Sequence, residues 1–317
     1  MRTGAKVFLG CLAAPFVLVL LLGILALIYR SLPMPPVERG AADLEQPLDS
    51  PAVTEAQLSA EGLAAGSGVP AGQPLSVTLR MEEGDFTIKP APPGTGIRVE
   101  GDYDKGTYEL HQELDTSSGA PVYTLSFKPR YSMMRRLLSH GFVKIDESLN
   151  RLTVHLPRDL PMDLRASIRK GASRMELGGL ALTSAVIDLE MGEHEVSVGE
   201  PNPLEMSSLE LNVGMGEINL RDLGNLRASG LTVWGKMGEV GVDLGSRIAR
   251  DTKLITRMRM GEMTLGLPTQ ARVTTRTSVF LGEASGANQD EGRVEESGFE
   301  LQVQAGVTMG ELRIHRH

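Results

Sequence analysis

The residues with chemistry to offer recur as one tripeptide. Met191-Gly192-Glu193 returns as Met215-Gly216-Glu217, Met237-Gly238-Glu239, Met260-Gly261-Glu262, Leu281-Gly282-Glu283 and Met309-Gly310-Glu311. A thioether is a soft donor and a carboxylate a hard one, so the repeat offers two opposed chemistries. A methionine stripe could hold a copper-like soft metal. A column of glutamates could attract a hard cation or a cationic partner. The alternation of apolar residues puts each methionine in the inward phase, and Leu281 stands in for one of them without breaking the pattern. The methionines are therefore expected to fill a core. If the repeats stack in register, Glu193, Glu217, Glu239, Glu262, Glu283 and Glu311 line up about 4.8 Å apart, where like charges repel unless solvated or paired. The expectation is a wet corner relieved by nearby Lys236, Arg257 and Arg259. Calcium-binding repeats use a Gly-rich Asp motif that this sequence lacks. His315 and His317, two ligands near the end of the sequence, fall short of a metal site. No metal or cofactor is expected.

What must position these residues is a stack. Successive central glycines are 24, 22, 23, 21 and 28 residues apart by subtraction of their numbers, a period that marks solenoidal arrays. Apolar residues alternate on both sides of each tripeptide, as in Leu211, Val213, Met215 and then Ile218, Leu220. This is the strand period, and its phase changes at the glycine. One odd step would throw the second half of a strand to the wrong face. A glycine can absorb that step at a bulge or corner. Gly192, Gly216, Gly238, Gly261, Gly282 and Gly310 are accordingly read as structural corners, each repeat being strand, corner, strand, loop. Leu177-Gly178-Gly179-Leu180 reads as a further variant, and the polar stretch 285–299 as a surface loop. Aromatic content of 4% and 36 glycines suit a narrow interior lined by Val, Leu, Ile and Met.

The remainder frames this array. Net charge is −8 over 317 residues, against general nucleic-acid binding. The single cysteine, Cys11, rules out an intramolecular disulfide and lies inside an apolar run rather than after one, as a lipoprotein signal requires. Val7 to Tyr29 carries no charge, and a helix of that length spans roughly 35 Å, enough to cross a bilayer. Arg2 and Lys6 precede it and acidic residues follow, so the expectation is an uncleaved single-pass anchor with its N-terminus cytoplasmic and the bulk of the chain extracytoplasmic. The domains are read as 1–30 anchor, 31–73 Pro/Ala-rich linker, 74–170 N-terminal β lobe and 171–317 repeat array. In the lobe, Glu83-Gly84-Asp85 resembles a degenerate corner. Strands are expected near 75–88, 96–100, 107–114, 122–127, 151–156 and 163–168. Between two of them, Lys128 to His140 mixes apolar and basic residues at helical spacing. Arg130, Arg135 and Arg136 are candidate contacts to an anionic membrane or a partner, or else part of a cap on the array.

The corners from Met215-Gly216-Glu217 to Met309-Gly310-Glu311, with the run Thr264-Leu265-Gly266-Leu267-Pro268-Thr269-Gln270-Ala271-Arg272-Val273, resemble the LiaF-like or toast-rack group of bacterial envelope proteins and the adhesin-type proteins built from the same repeats. The resemblance covers about 75–317. It implies a single-layered β array without enzymatic residues and, in some relatives, a role in envelope-stress signalling. The fold expected is all-β, a β-solenoid or toast-rack-like array behind one transmembrane helix. The function expected is a non-catalytic module that binds an envelope protein or wall component. The alternative is an adhesin-type protein that self-associates through an open end of the array. A polysaccharide-active β-helix enzyme is a third reading, but the sequence holds no HExxH, nucleophile elbow, P-loop or zinc spacing.

Overall fold

Val, Ile, Leu and Met at every second position, interrupted by one glycine, make long strands that bend once. The computed structural model describes residues 73–117, 120–130, 150–286 and 298–317, with the backbone of 39–42. Its strands form a 14-stranded sheet. They are β1 Arg39–Ala42, β2 Leu75–Glu83, β3 Asp85–Pro90, β4 Arg98–Asp104, β5 Tyr108–Asp115, β6 Val122–Pro129, β7 Arg151–Leu156, β8 Met162–Glu176, β9 Leu182–Ser197, β10 Met206–Arg221, β11 Ala228–Asp243, β12 Thr252–Leu267, β13 Arg272–Ser285 and β14 Glu300–Arg316. The expected transmembrane helix and most of the linker lie outside the described residues.

The sheet is folded along a line of glycines into two walls. From β8 to β12 each strand runs up one wall, bends at its glycine and continues along the other, in parallel register with its neighbours. Gly238 shows why the position is closed to other residues. Its φ is +123°, and a Cβ there would lie 1.9 Å from the Gly216 carbonyl oxygen. The same contact links Gly171 to Gly84, Gly192 to Gly171, Gly216 to Gly192, Gly261 to Gly238, Gly310 to Gly261 and Gly282 to Gly310. The corner is thus where adjacent backbones come closest. Gly84 takes its place in that line as expected. The corner of β8, however, is Lys170-Gly171-Ala172. Leu177-Gly178-Gly179-Leu180, expected as a corner, is instead the link between β8 and β9, with Leu177 and Leu180 buried. The two lobes expected on either side of residue 170 share one sheet, with β8 running through the join.

The inner faces of both walls meet in one continuous core. Phe127 on the first wall contacts Phe86 and Tyr103 on the second, with ring centroids 5.9 and 5.4 Å apart. A Cβ on Gly235 would come within 2.3 Å of Met258 Sδ and 3.1 Å of Val240 Cγ2. Met258 therefore fills the space that Gly235 leaves, and the walls touch just inside the bend. Loop residues such as Leu223, Leu226, Leu244 and Ile248 close the open side.

Stacking order departs from chain order at both ends. The rung made of β2 and β3 lies inside the array. The rung of β6 and β7 stacks on it, and β5 and β4 run antiparallel outside that, with β1 on β4. At the other end β14 lies between β12 and β13, so β13 is the outer edge. Glu283 is consequently the last glutamate of the column and Glu311 the one before it.

Candidate functional site

The bend does more than turn the chain. Ladder pairing runs Gly235 to Met258, then Met237 to Met260, and passes over Lys236 and Arg259. The next strand repeats this, with Met258 on Val307, then Met260 on Met309. The strand thus leaves its alternation before it reaches the glycine. As a result the tripeptide methionines are not in the core. Met191, Met215, Met237, Met260 and Met309 are 39–49% exposed and Leu281 is 53% exposed. The expectation of core filling is overturned for these six positions. The side chains form an in-register apolar ridge along the outside of the corner.

Across the glycines from this ridge, the six glutamates stand in register as expected, Glu193 to Glu217, Glu239, Glu262, Glu311 and Glu283. Three of them are relieved, and from elsewhere than predicted. Arg313 pairs with Glu311 at 2.7 Å and with Glu262, and the hydrogen bonds of these carboxylates hold its guanidinium above the usual range. Asn219 Nδ2 donates to Glu217 Oε1 at 2.9 Å. Lys236, Arg257 and Arg259 precede the glycine, on the other wall, and make no ion pair with the column. Among the described residues no group of three or more His, Cys, Asp or Glu is placed to hold a metal ion.

The same bend makes a groove of about 870 Å³ on the outside of the first wall. Its sides are two columns of outward residues. One runs Asp188, Asn212, Trp234, Arg257, Gly306, Ser278 across the strands. The other holds Glu190, Lys236, Arg259, Thr308 and Phe280 two positions further on. Trp234 is 46% and Phe280 79% exposed. Asn212 Nδ2 donates to Asp188 Oδ1 at 2.8 Å, and Arg169 holds Glu190 at 3.2 Å. The volume is that of a small-ligand site.

A Ser–His pair lies on the inner face of the second wall. Ser173 Oγ is 2.9 Å from His194 Nδ1, and both residues are buried. Burial pushes the imidazole down to about 4. His194 is in register with Ile218, Val240, Met263 and Leu312, so it faces the core. The pair offers a neutral polar contact, not an activated nucleophile, which needs an accessible hydroxyl and an oriented base.

No protein-family model matches the chain, and no curated protein sequence does. Among solved structures, the chain is similar to a "putative cell adhesion protein" of Clostridium sporogenes at 12% identity, with 89% of this chain and 100% of that chain covered and a TM-score of 0.41. It is also similar to a "putative adhesin" of Bacteroides fragilis at 12% identity, with 77% and 93% covered and a TM-score of 0.38.

Of the basic segment, Arg130 is described. Its backbone N–H donates to Thr107 O at 2.8 Å and its Nε to Tyr108 O at 3.1 Å. It thereby ties the end of β6 to β5. Arg135 and Arg136 lie outside the described residues. The segment that carries them joins β6 to β7, where the other rungs have their glycine corner. Sequence reasoning missed the groove. Trp234 and Lys236 occupy outward phases on one strand, as Arg257 and Arg259 do on the next, but nothing in the sequence shows that these strands are neighbours with a hollow between them.

Proposed function

We propose that the chain is a non-catalytic adhesion-type surface module whose β head self-associates through one end of its array. The observation that carries this reading is β13. This strand has 14 residues and pairs with β14 along one edge, and among the described residues nothing covers its other edge. Its inward positions include Thr275 and Thr277, in register with Val303 and Ala305 of the core. The opposite end is built differently, with antiparallel strands, a cluster of Phe86, Tyr103, Tyr108 and Phe127, and shorter edge strands, β5 of 8 residues and β1 of 4. An uncovered strand edge is a template for another strand, and a second copy is the simplest donor, through a two-fold pairing of the two edges. The apolar run 7–29 would hold the head at a membrane, outside the cytoplasm, with β1 of the 31–73 stretch paired to the sheet.

A second reading, a scaffold that binds another envelope protein, is favoured by the exposed methionine ridge, because flexible thioether surfaces adapt to varied partners. The two readings part in solution. Full-length chain in detergent is expected to scatter light as a dimer or larger. Thr275→Lys/Thr277→Lys places charges in inward positions of the edge, a device that blocks strand pairing, and this variant should be a monomer. A wild-type chain that stays monomeric at tens of micromolar would remove the self-association reading and leave the scaffold.

A further inference from the structure

We propose that the groove on the first wall binds an acidic oligosaccharide, with sugar rings on Trp234 and Phe280 and carboxylates on Lys236, Arg257 and Arg259. This rests on the reading of the head as a binding module and is independent of its self-association.

The first ground is charge. In a chain of net charge −8, these three cations stand together, and none forms an ion pair among the described residues. Of the acids at the far end of the groove, Glu190 is paired with Arg169, while Asp188 accepts a hydrogen bond from the neutral Asn212 amide and keeps its charge. Three cations against one uncompensated carboxylate leave the groove net positive, with the cations at its centre. Trp234 is in register with Arg257 on the next strand, and Lys236 and Arg259 lie two residues further along each. Neighbouring strands set Trp234 and Arg257 about 4.8 Å apart, with Lys236 and Arg259 beside them where the two strands begin to turn.

The second ground is shape. Gly306 floors the groove beyond Arg257. A Cβ there would lie 3.1 Å from Arg257 Nη1 and 3.0 Å from Ser278 Oγ. The missing side chain lets Arg257 lie across the sheet, with Nη1 also donating to the Thr256 carbonyl at 3.3 Å. The groove then runs on to Phe280 on β13. From β11 to β13 is three strand spacings, about 14 Å, so the two rings can seat separate units of one extended ligand.

The third ground is what the groove cannot offer. It lies on the face of the sheet, where backbone groups are paired to neighbouring strands, so an extended peptide has no ladder to join. Recognition must come from side chains, and those present are exposed rings, guanidinium and ammonium groups, an amide and hydroxyls. Rings stack on the C–H faces of sugars, guanidinium groups bind carboxylates in a fork, and hydroxyls and amides meet sugar hydroxyls. A polyphosphate or nucleic acid would meet three cations and then the uncompensated Asp188, too little charge of the right sign for a backbone of that density.

Trp234 is the only tryptophan in the chain, so its fluorescence reports the groove directly. Full-length protein in detergent is titrated with a short oligogalacturonate, with the methyl ester of the same oligomer, and with a single-stranded DNA oligomer. The expected result is a saturable change with the acid, at least tenfold weaker binding of the ester, and weaker binding at high salt. Arg257→Gln/Arg259→Gln, changing groups at or near the surface, should lose at least tenfold in affinity with unchanged thermal unfolding. The proposal is overturned if the acid gives no change at millimolar concentration, if the ester binds equally, if the double variant binds like wild type, or if DNA binds more tightly than the acid. The Thr275→Lys/Thr277→Lys chain is titrated in parallel. Binding by that chain supports the groove whether or not the wild type associates, and loss of binding there alone would show the site to need a second copy and overturn the single-chain groove.

Discussion

Met258 and Met260 sit two residues apart on β12, in what strict alternation makes the same phase, yet one is 2% and the other 39% exposed. Met258 packs into the gap beside Gly235, while Met260 joins the outer ridge. Met258→Ala should cost about 2–5 kcal/mol, the range for deleting a buried methionine. Met260→Gln should stay within about 0.5 kcal/mol, as surface changes do. Urea unfolding of the two variants measures both. His194 gives a pH signature at the same scale. In the unfolded chain its imidazole takes up a proton near 6.5; in the folded protein burial holds this to about 4. Between these values the unfolded state binds more protons. The contribution is therefore full above pH 6.5 and is lost as pH falls toward 4, on the order of 2 kcal/mol between pH 7 and 5. His194→Leu with Ser173→Ala, which removes the leftover hydroxyl, should flatten the stability profile over that interval.

At the scale of the strand, the glycine column sets the register of everything outside it. The ridge, the glutamates and the groove are each a fixed offset from the bend repeated across strands, so a slip at one corner would break all three. Gly238→Ala asks alanine to adopt φ +123° with its methyl group against the Gly216 carbonyl. A loss of about 3 kcal/mol or more is expected from strain and displacement together. Gly230→Ala on the same strand is the control. The nearest atom to its Cβ would be Ser207 O at 3.8 Å, and calorimetry should show little change. The β6–β7 connection shows the opposite solution. There β6 ends at Pro129 and β7 begins at Arg151, and Arg130 is tied to the Tyr108 carbonyl.

At the scale of the molecule, the ends decide what the array can do. A solenoid built in chain order would lose only its last rung on truncation. Here β13 has β14 as its strand neighbour, so deleting residues 287–317 should strip protection from 272–285 as well. Hydrogen exchange on the truncated chain tests this. Exchange confined to the deleted rung's former contacts on β12, with 272–285 still protected, would mean that β13 had moved over to pair with β12.

The sequence by itself determined the bent strand and the repeat. A side-chain period of two with one glycine between half-strands has few other solutions, and identical offsets force identical residues into columns, as the glutamates show. It also made Gly84 legible as a corner. Only the tertiary structure decided where the columns face. Alternation predicts inward methionines, but the chain begins to turn at Arg259 and its equivalents, before the glycine, and that displacement is a property of backbones packed side by side. Stacking order was equally hidden, because a strand's pattern tells which face is apolar and not which neighbour it meets. The groove follows from both facts. Trp234 and Arg257 meet because β11 pairs with β12, and Phe280 stands two strands beyond Arg257 because β14 lies between β12 and β13.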